Sequence, residues 1–345
     1  MSPIIWATMI TSLSTSTIIT LNSHHWLLAW LGLELNTLSI LPITMKPHHP
    51  RATEATTKYF LVQTLSAALI LFASTLNAWQ TGHWTITNAS PQTTTITATA
   101  VMMKLGAAPV HLWYPEILQG ATLNTALIIS TWQKIAPLAL LYMIHSNLPT
   151  NFLLLAGLLS ALVGGWGGLN QTQTRKIMAH SSIAHMGWIL IALTISPQLA
   201  TLTLMTYITM TISMFTTLNK ITAKTIIDLG TAWTASPAMT AFTLLTLASL
   251  GGLPLLTGFM PKLLILHDLT KKSLLPLATL LVMAGLPSLF FYVRLAYTIA
   301  LTIPPNPTTT KFKWRLMPHQ SHTTPPALVL ALMLLPLTAA LYTTT

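Results

Sequence analysis

The sequence predicts an all-α polytopic membrane protein of about eleven transmembrane helices, on three observations. The 345 residues are 52% hydrophobic and only 6% charged, whereas a soluble domain carries roughly 25% charged residues. Sixteen Lys and Arg with five Asp and Glu cannot coat a water-facing surface around so much apolar mass, so the surrounding medium is lipid. Apolar stretches of about 20 residues, enough to cross roughly 30 Å of hydrocarbon, recur along the chain. The basic residues of the intervening loops then fall on one side of the membrane.

The spans run near 3–22, 24–45, 59–80, 95–118, 123–144, 150–170, 177–195, 199–221, 237–267, 274–300 and 325–343. The first, "MSPIIWATMITSLSTSTIITL", has neither a basic n-region nor an Arg-rich amphipathic presequence. It is therefore expected to be the first spanning helix rather than a targeting peptide. Loops after even-numbered spans hold Lys46, Arg51, Lys58, Arg175, Lys176, Lys220, Lys224, Lys311, Lys313 and Arg315; the opposite loops hold Lys271 and Lys272. Ten against two places the amino terminus on the cytoplasmic or equivalent organellar side. No soluble domain fits between the spans, so 1–345 is expected to be one transmembrane unit.

Three stretches depart from regular helix. Pro109 and Pro115 follow Lys104, while Gly251, Gly252, Pro254, Gly258 and Pro261 interrupt the ninth span, and Gly285 and Pro287 the tenth. Proline removes a backbone donor and clashes one turn back, and within a membrane such breaks survive only inside protein or along a wet cavity. Broken helices paired across two halves of a transporter mark its ion path, and the pair near 104–115 and 251–261 fits. Ordinary proline kinking is the alternative.

Four charges lie inside spans: Glu34, Lys104, Lys134 and Lys262. A lysine at a helix centre costs about 2.5–3.5 kcal/mol on insertion scales. Lys104 and Lys134 lie too far from either face to snorkel out of the membrane, so they are expected to point into the bundle. Burial favours the uncharged form of such groups and a neighbouring opposite charge the charged form. A row of them linked by water is thus able to pass protons; the alternative is that they pair and lock helices together. Arg294 is expected to snorkel toward the basic side, and Glu116 and Asp268 to serve in loops.

Of twelve histidines, His111, His180 and His185 lie in or near spans. His111 is a candidate proton relay or a hydrogen-bonded interior histidine. His180 and His185, five apart, do not share a helix face well, and no paired arrangement points to haem. With no Cys, thiolate zinc sites, disulfides and Cys-held clusters are excluded; no metal or cofactor is expected in this chain. The net charge of +11 is scattered through short loops without aromatic interleaving, so no nucleic-acid partner is expected. Gly164 and Gly168 have small-xxx-small spacing, which favours close helix packing. "KPHHPRATEATTK" reads as a polar connection, and Asn88-Ala-Ser90 as a chance glycosylation match.

"KLGAAPVHLWYPEILQG", "RKIMAHSSIAHMGWILIA" and "GLPLLTGFMPKLLIL" together resemble signature segments of the NADH–ubiquinone oxidoreductase chain 2 family, antiporter-like membrane subunits of respiratory complex I. The resemblance extends from "GLELNTLSILPI" around Glu34 to the last helix. It implies two inverted helical repeats, about 1–145 and 150–300, each with one broken helix, followed by a C-terminal helix near 325–343. The first repeat is expected to lack helices present in longer bacterial relatives. It further implies proton translocation across the inner mitochondrial membrane, driven by NADH-to-ubiquinone electron transfer elsewhere, with other membrane-arm subunits and lipids as partners and the basic side facing the matrix. No flavin, iron–sulfur cluster, NADH or quinone site is implied here. By matching segments, Glu34 and Lys104 form a charge pair, Lys134 the central relay and Lys262 the second half-channel, with His111 and His185 as further relay candidates. An autonomous cation/proton antiporter, a purely structural membrane subunit and a glycosylated plasma-membrane transporter are the competing readings.

Overall fold

Capping side chains, prolines and a few left-handed residues set where the helices of this chain begin and end. The computed structural model describes residues 3–231, 237–301, 324–338 and 342. Its helices are α1 (Pro3–Leu21), α2 (Trp26–Met45), α3 (Pro50–Thr81), α4 (Pro91–Leu105), α5 (Trp113–Gly120), α6 (Leu123–Ser130), α7 (Trp132–Ile144) and α8 (Thr150–Gly168). They continue with α9 (Thr174–Ile195), α10 (Pro197–Ile221), α11 (Ile226–Thr231), α12 (Pro237–Gly251), α13 (Phe259–Lys271), α14 (Leu275–Leu301) and α15 (Thr324–Met333). Among the described residues, eight helical spans are long and apolar enough to cross a membrane: α1, α2, α3, α6 together with α7, α8, α9, α10 and α14. Two further predicted spans are divided, α4 from α5 and α12 from α13, and the last corresponds to α15 and the short turn after it. Lys311, Lys313 and Arg315 lie outside the described residues.

Three expectations are corrected. The polar stretch before the third span is helix from Pro50, not a connection up to residue 58. His49 caps it by accepting from the Arg51 amide at 3.2 Å, Pro50 takes the first helical position, and Lys58 pairs with Glu54 one turn back. The tenth span is not interrupted, because α14 runs unbroken through Gly285 and Pro287. The small Gly165 and Gly168 of α8 receive that region, facing Pro287 and Phe291. The fifth span, expected to be one helix, divides at Thr131, whose φ of −113° and ψ of −69° end α6.

Small residues bring the central helices together. An added Cβ at Gly164 would lie 2.5 Å from the Ala184 amide nitrogen, and one at Gly187 would strike the Gly157 carbonyl. Gly164 thus serves the α8–α9 contact, while Gly168 faces Phe291 on α14, so the predicted small-residue pair divides between two neighbours.

The two halves repeat one device. Loop residues before α2 bridge the loop after α3, with Trp26 donating to the Trp84 carbonyl at 3.0 Å. Loop residues before α9 bridge the loop after α10, with Thr174 donating to the Lys224 carbonyl at 3.1 Å. Successive crossings put the first bridge at one end of the bundle and the second at the other, and an interrupted helix follows each. The same bridge thus recurs at opposite ends of the bundle.

Candidate functional site: a buried row of lysines

Each lysine of the row stands beside a place where helix gives way. Gly106, with φ of +71°, closes α4 by donating to the Met102 and Met103 carbonyls, and the chain passes Pro109 before α5 restarts at Trp113. Pro115, expected to extend the break, sits in the first turn of α5, where proline costs no helical bond. Lys104 lies in the last turn of α4, where a cation suits the helix dipole, and is 6% exposed. Its Nζ donates to Gln63 Oε1 at 3.4 Å, and Gln63 Nε2 donates back to the Lys104 carbonyl at 3.4 Å.

Glu34 is half-buried on α2, and its Oε2 is buried without a hydrogen-bond partner. The carboxylate acts electrostatically on Lys104 and Tyr59. The ion pairs found among the described residues, all at loops or helix ends, do not include Glu34–Lys104.

Lys134 is 2% exposed, in the first turn of α7 just past the division at Thr131. Its Nζ donates to Tyr207 Oη at 3.1 Å, and Tyr207 Oη donates in turn to the Ser130 carbonyl at 2.8 Å. The amine also lies 4.9 Å from the ring centres of Tyr114 and Tyr207. Two aromatic faces and one hydroxyl therefore replace the carboxylate that a buried ammonium ordinarily needs.

Lys262, half-buried in the first turn of α13, reaches back across the second break. Its Nζ donates to the Leu250 and Gly251 carbonyls at 3.3 and 3.2 Å, capping the end of α12. Gly252, with φ of +82°, makes that reach possible: an added Cβ would lie 3.0 Å from Lys262 Nζ. Gly252→Ala is accordingly expected to strain the backbone and displace the amine. Coupled turnover should fall with assembly retained, read on a native gel stained for activity; wild-type activity in the variant would refute this placement.

Two cavities of about 10 Å³ connect these groups, each on the scale of one water molecule. Lys104 and Lys134 line the first with Gln63, Asn36, Gln133 and Tyr114. Lys262 and His185 line the second with Thr203 and Thr206. Between them the Tyr207 and His185 rings are 5.6 Å apart. A polar file thus runs from Gln63 through Lys104, Lys134, Tyr207 and His185 to Lys262.

Other sequence candidates fall elsewhere. His111 lies in the first break with Nδ1 3.2 Å from the Pro109 carbonyl, outside both cavity linings, and acts electrostatically on His180. Glu116 pairs with Lys58 at 2.6 Å, and Asp268 with His267 at 3.5 Å. Arg294 donates to the Leu169 carbonyl, toward the end of the bundle that holds Arg175 and Lys176. Sequence reasoning passed over Tyr207, Tyr114, Gln63 and Gln133. The two glutamines carried a usable signal, being amides inside apolar spans; a buried tyrosine among threonines carried none.

Residues 23–287 match the family model described as NADH:quinone oxidoreductase/Mrp antiporter, transmembrane, and residues 289–342 match NADH dehydrogenase subunit 2, C-terminus. NADH-ubiquinone oxidoreductase chain 2 of Carassius auratus is 53% identical over 348 residues, covering 100% of both chains. Its namesake from Salmo salar is 54% identical, and that from Aquarana catesbeiana 49%, each covering 99% of both chains. In fold, the chain resembles one in the respiratory complex I of Thermus thermophilus, with a TM-score of 0.83 and 24% identity over 97% of this chain and 76% of that one. A chain of the Mrp complex from Dietzia gives 0.80 at 16% identity, over 98% of this chain and 73% of that one. With matches that run from end to end, the chain belongs to the NADH-ubiquinone oxidoreductase chain 2 family.

Proposed function

We propose that this chain is a membrane-arm subunit of a respiratory NADH–ubiquinone oxidoreductase and that it carries protons across the inner mitochondrial membrane along the buried lysine row. One observation carries the reading: three lysines, each beside a helix break, line two water-sized cavities joined by Tyr207 and His185. Removing positive groups from water is costly unless they are well paired, and among the described residues no carboxylate forms an ion pair with Lys104, Lys134 or Lys262.

In this reading Glu34 modulates Lys104 at a distance, Gln63 holds the Lys104 amine, and Lys134 passes protons between the cavities. Lys262 serves the second half, with His185 as its neighbour; His111 is peripheral. The basic loops place the amino terminus on the matrix side. Electron transfer takes place in other subunits, and this chain holds no redox group of its own. The inverted halves, about 1–145 and 150–300, each supply one break to the path.

Lys104→Met tests the role. Assembled complex in sealed vesicles is expected to keep its subunit content while proton uptake and coupled quinone reduction fall about ten-fold or more, since one positioned proton carrier contributes roughly 10²–10⁴ in rate. Wild-type uptake with wild-type turnover would support a scaffolding role instead.

A further inference from the structure

At the basic end of the bundle lies an open cavity of about 630 Å³, apart from the lysine row. Three separate segments bring four basic side chains to it: His49 and Arg51 at the start of α3, Arg175 at the start of α9, and Lys224 in the loop after α10. Asn219 and Thr122 add polar groups, and among the described residues no carboxylate lines the cavity.

The nearby acids are already engaged. Glu54 and Glu116, in the adjoining cleft that shares Arg51, are both bonded to Lys58. Asp228, close to Lys224, accepts from the Lys224 and Thr225 amides at 2.9 and 2.8 Å. Arg51 and Arg175 meanwhile lie near enough to repel each other. Arg175 is half-buried, anchored through one guanidinium nitrogen on the Ala121 carbonyl, with its remaining donors available for a ligand. The folded chain thus holds convergent positive charge together against its own repulsion.

We propose that this cavity binds the phosphate group of an anionic phospholipid. Guanidinium forks match phosphate oxygens in geometry, and basic pockets between membrane helices recognise anionic headgroups. The cavity stands at the end of spanning helices, where headgroups lie, and its apolar lining at Pro47, Ala121 and Leu123 suits a glycerol backbone. Among the described residues that line it, His49 is the one aromatic ring.

The test uses assembled complex in lipid nanodiscs containing an anionic phospholipid that carries a photoreactive headgroup, with labelled peptides identified by mass spectrometry. Labelling is expected on peptides containing residues 47–51, 119–124 and 219–224. It should fall about five-fold for Lys224→Gln and further for Arg175→Gln with Lys224→Gln. Lys271→Gln, at the opposite end, should leave it unchanged. Lys224 is exposed, so its variant reports on binding even if the Arg175 variant does not assemble. Equal labelling in Lys224→Gln, or equal labelling by a zwitterionic probe, overturns the proposal. Complete displacement by inorganic phosphate assigns the site to a free anion and overturns the lipid assignment.

Discussion

Replacing Lys134 with methionine is expected to leave an assembled complex that has lost coupled turnover. Lys134 is the most deeply buried lysine of the row, bonded to Tyr207 and flanked by two aromatic rings. Methionine fills much of the same volume without the charge, and replacing a buried charge by a well-packed apolar group is often neutral or stabilising. Folding should therefore survive. Proton passage should not, because the amine lines the first cavity and bonds to Tyr207, whose ring adjoins His185 of the second. The decisive pair of measurements is quinone reduction and proton uptake in sealed vesicles, with a loss of about ten-fold or more expected. If both stay at wild-type levels, the central lysine is no relay and the chain acts as a scaffold for pumping neighbours.

Tyr207→Phe sharpens the same point. It removes the hydroxyl that joins Lys134 to the Ser130 carbonyl while keeping the ring beside His185. A partial loss of turnover, smaller than that of Lys134→Met, is expected if the hydroxyl positions the amine. An unchanged rate would leave Tyr207 a packing residue.

The largest structural effect is expected at Gly187. A side chain there meets the Gly157 carbonyl, Ser160 Oγ and the Ala161 amide nitrogen of α8. Two of these are backbone atoms, which cannot swing aside as a flexible side chain can. Overpacking of a tight interface costs about 1–3 kcal/mol when neighbours adjust, and Gly187→Leu allows little adjustment. The expected outcome is a severe fall in assembled complex on a native gel, with α9, which bears His185, displaced from α8. Normal assembly would mean that the two helices separate more easily than their contact implies. Gly285→Leu on α14 is the control: an added Cβ there meets nothing within 4 Å, and assembly should hold.

The residues themselves made the membrane reading, the buried lysines and two of the helix breaks legible. Charge scarcity and apolar length act on any backbone, and proline or glycine beside a lysine declares its effect locally. The same local rules misplaced Gly285 and Pro287, because a kink-prone sequence stays helical where small neighbours such as Gly165 make room. They also missed the division at Thr131, which breaks with no proline or glycine at the site; the nearest proline is Pro137. There the Ser130 carbonyl finds its partner in Tyr207, 77 residues away, a bond that no local pattern encodes.

The sequence by itself therefore determined the solvent, the orientation bias of the loops and which ionisable groups lie within the spans, since hydropathy and charge are properties of single residues. Only the tertiary structure decided which of those groups share a cavity. It set Lys104 beside Gln63 rather than in bonding contact with Glu34, gave Lys134 two tyrosines, turned Lys262 back onto α12 and left His111 outside the file. Those choices depend on which helix faces meet. Facing is set by packing over the whole bundle, where a shift of a few ångströms exchanges one hydrogen-bond partner for another.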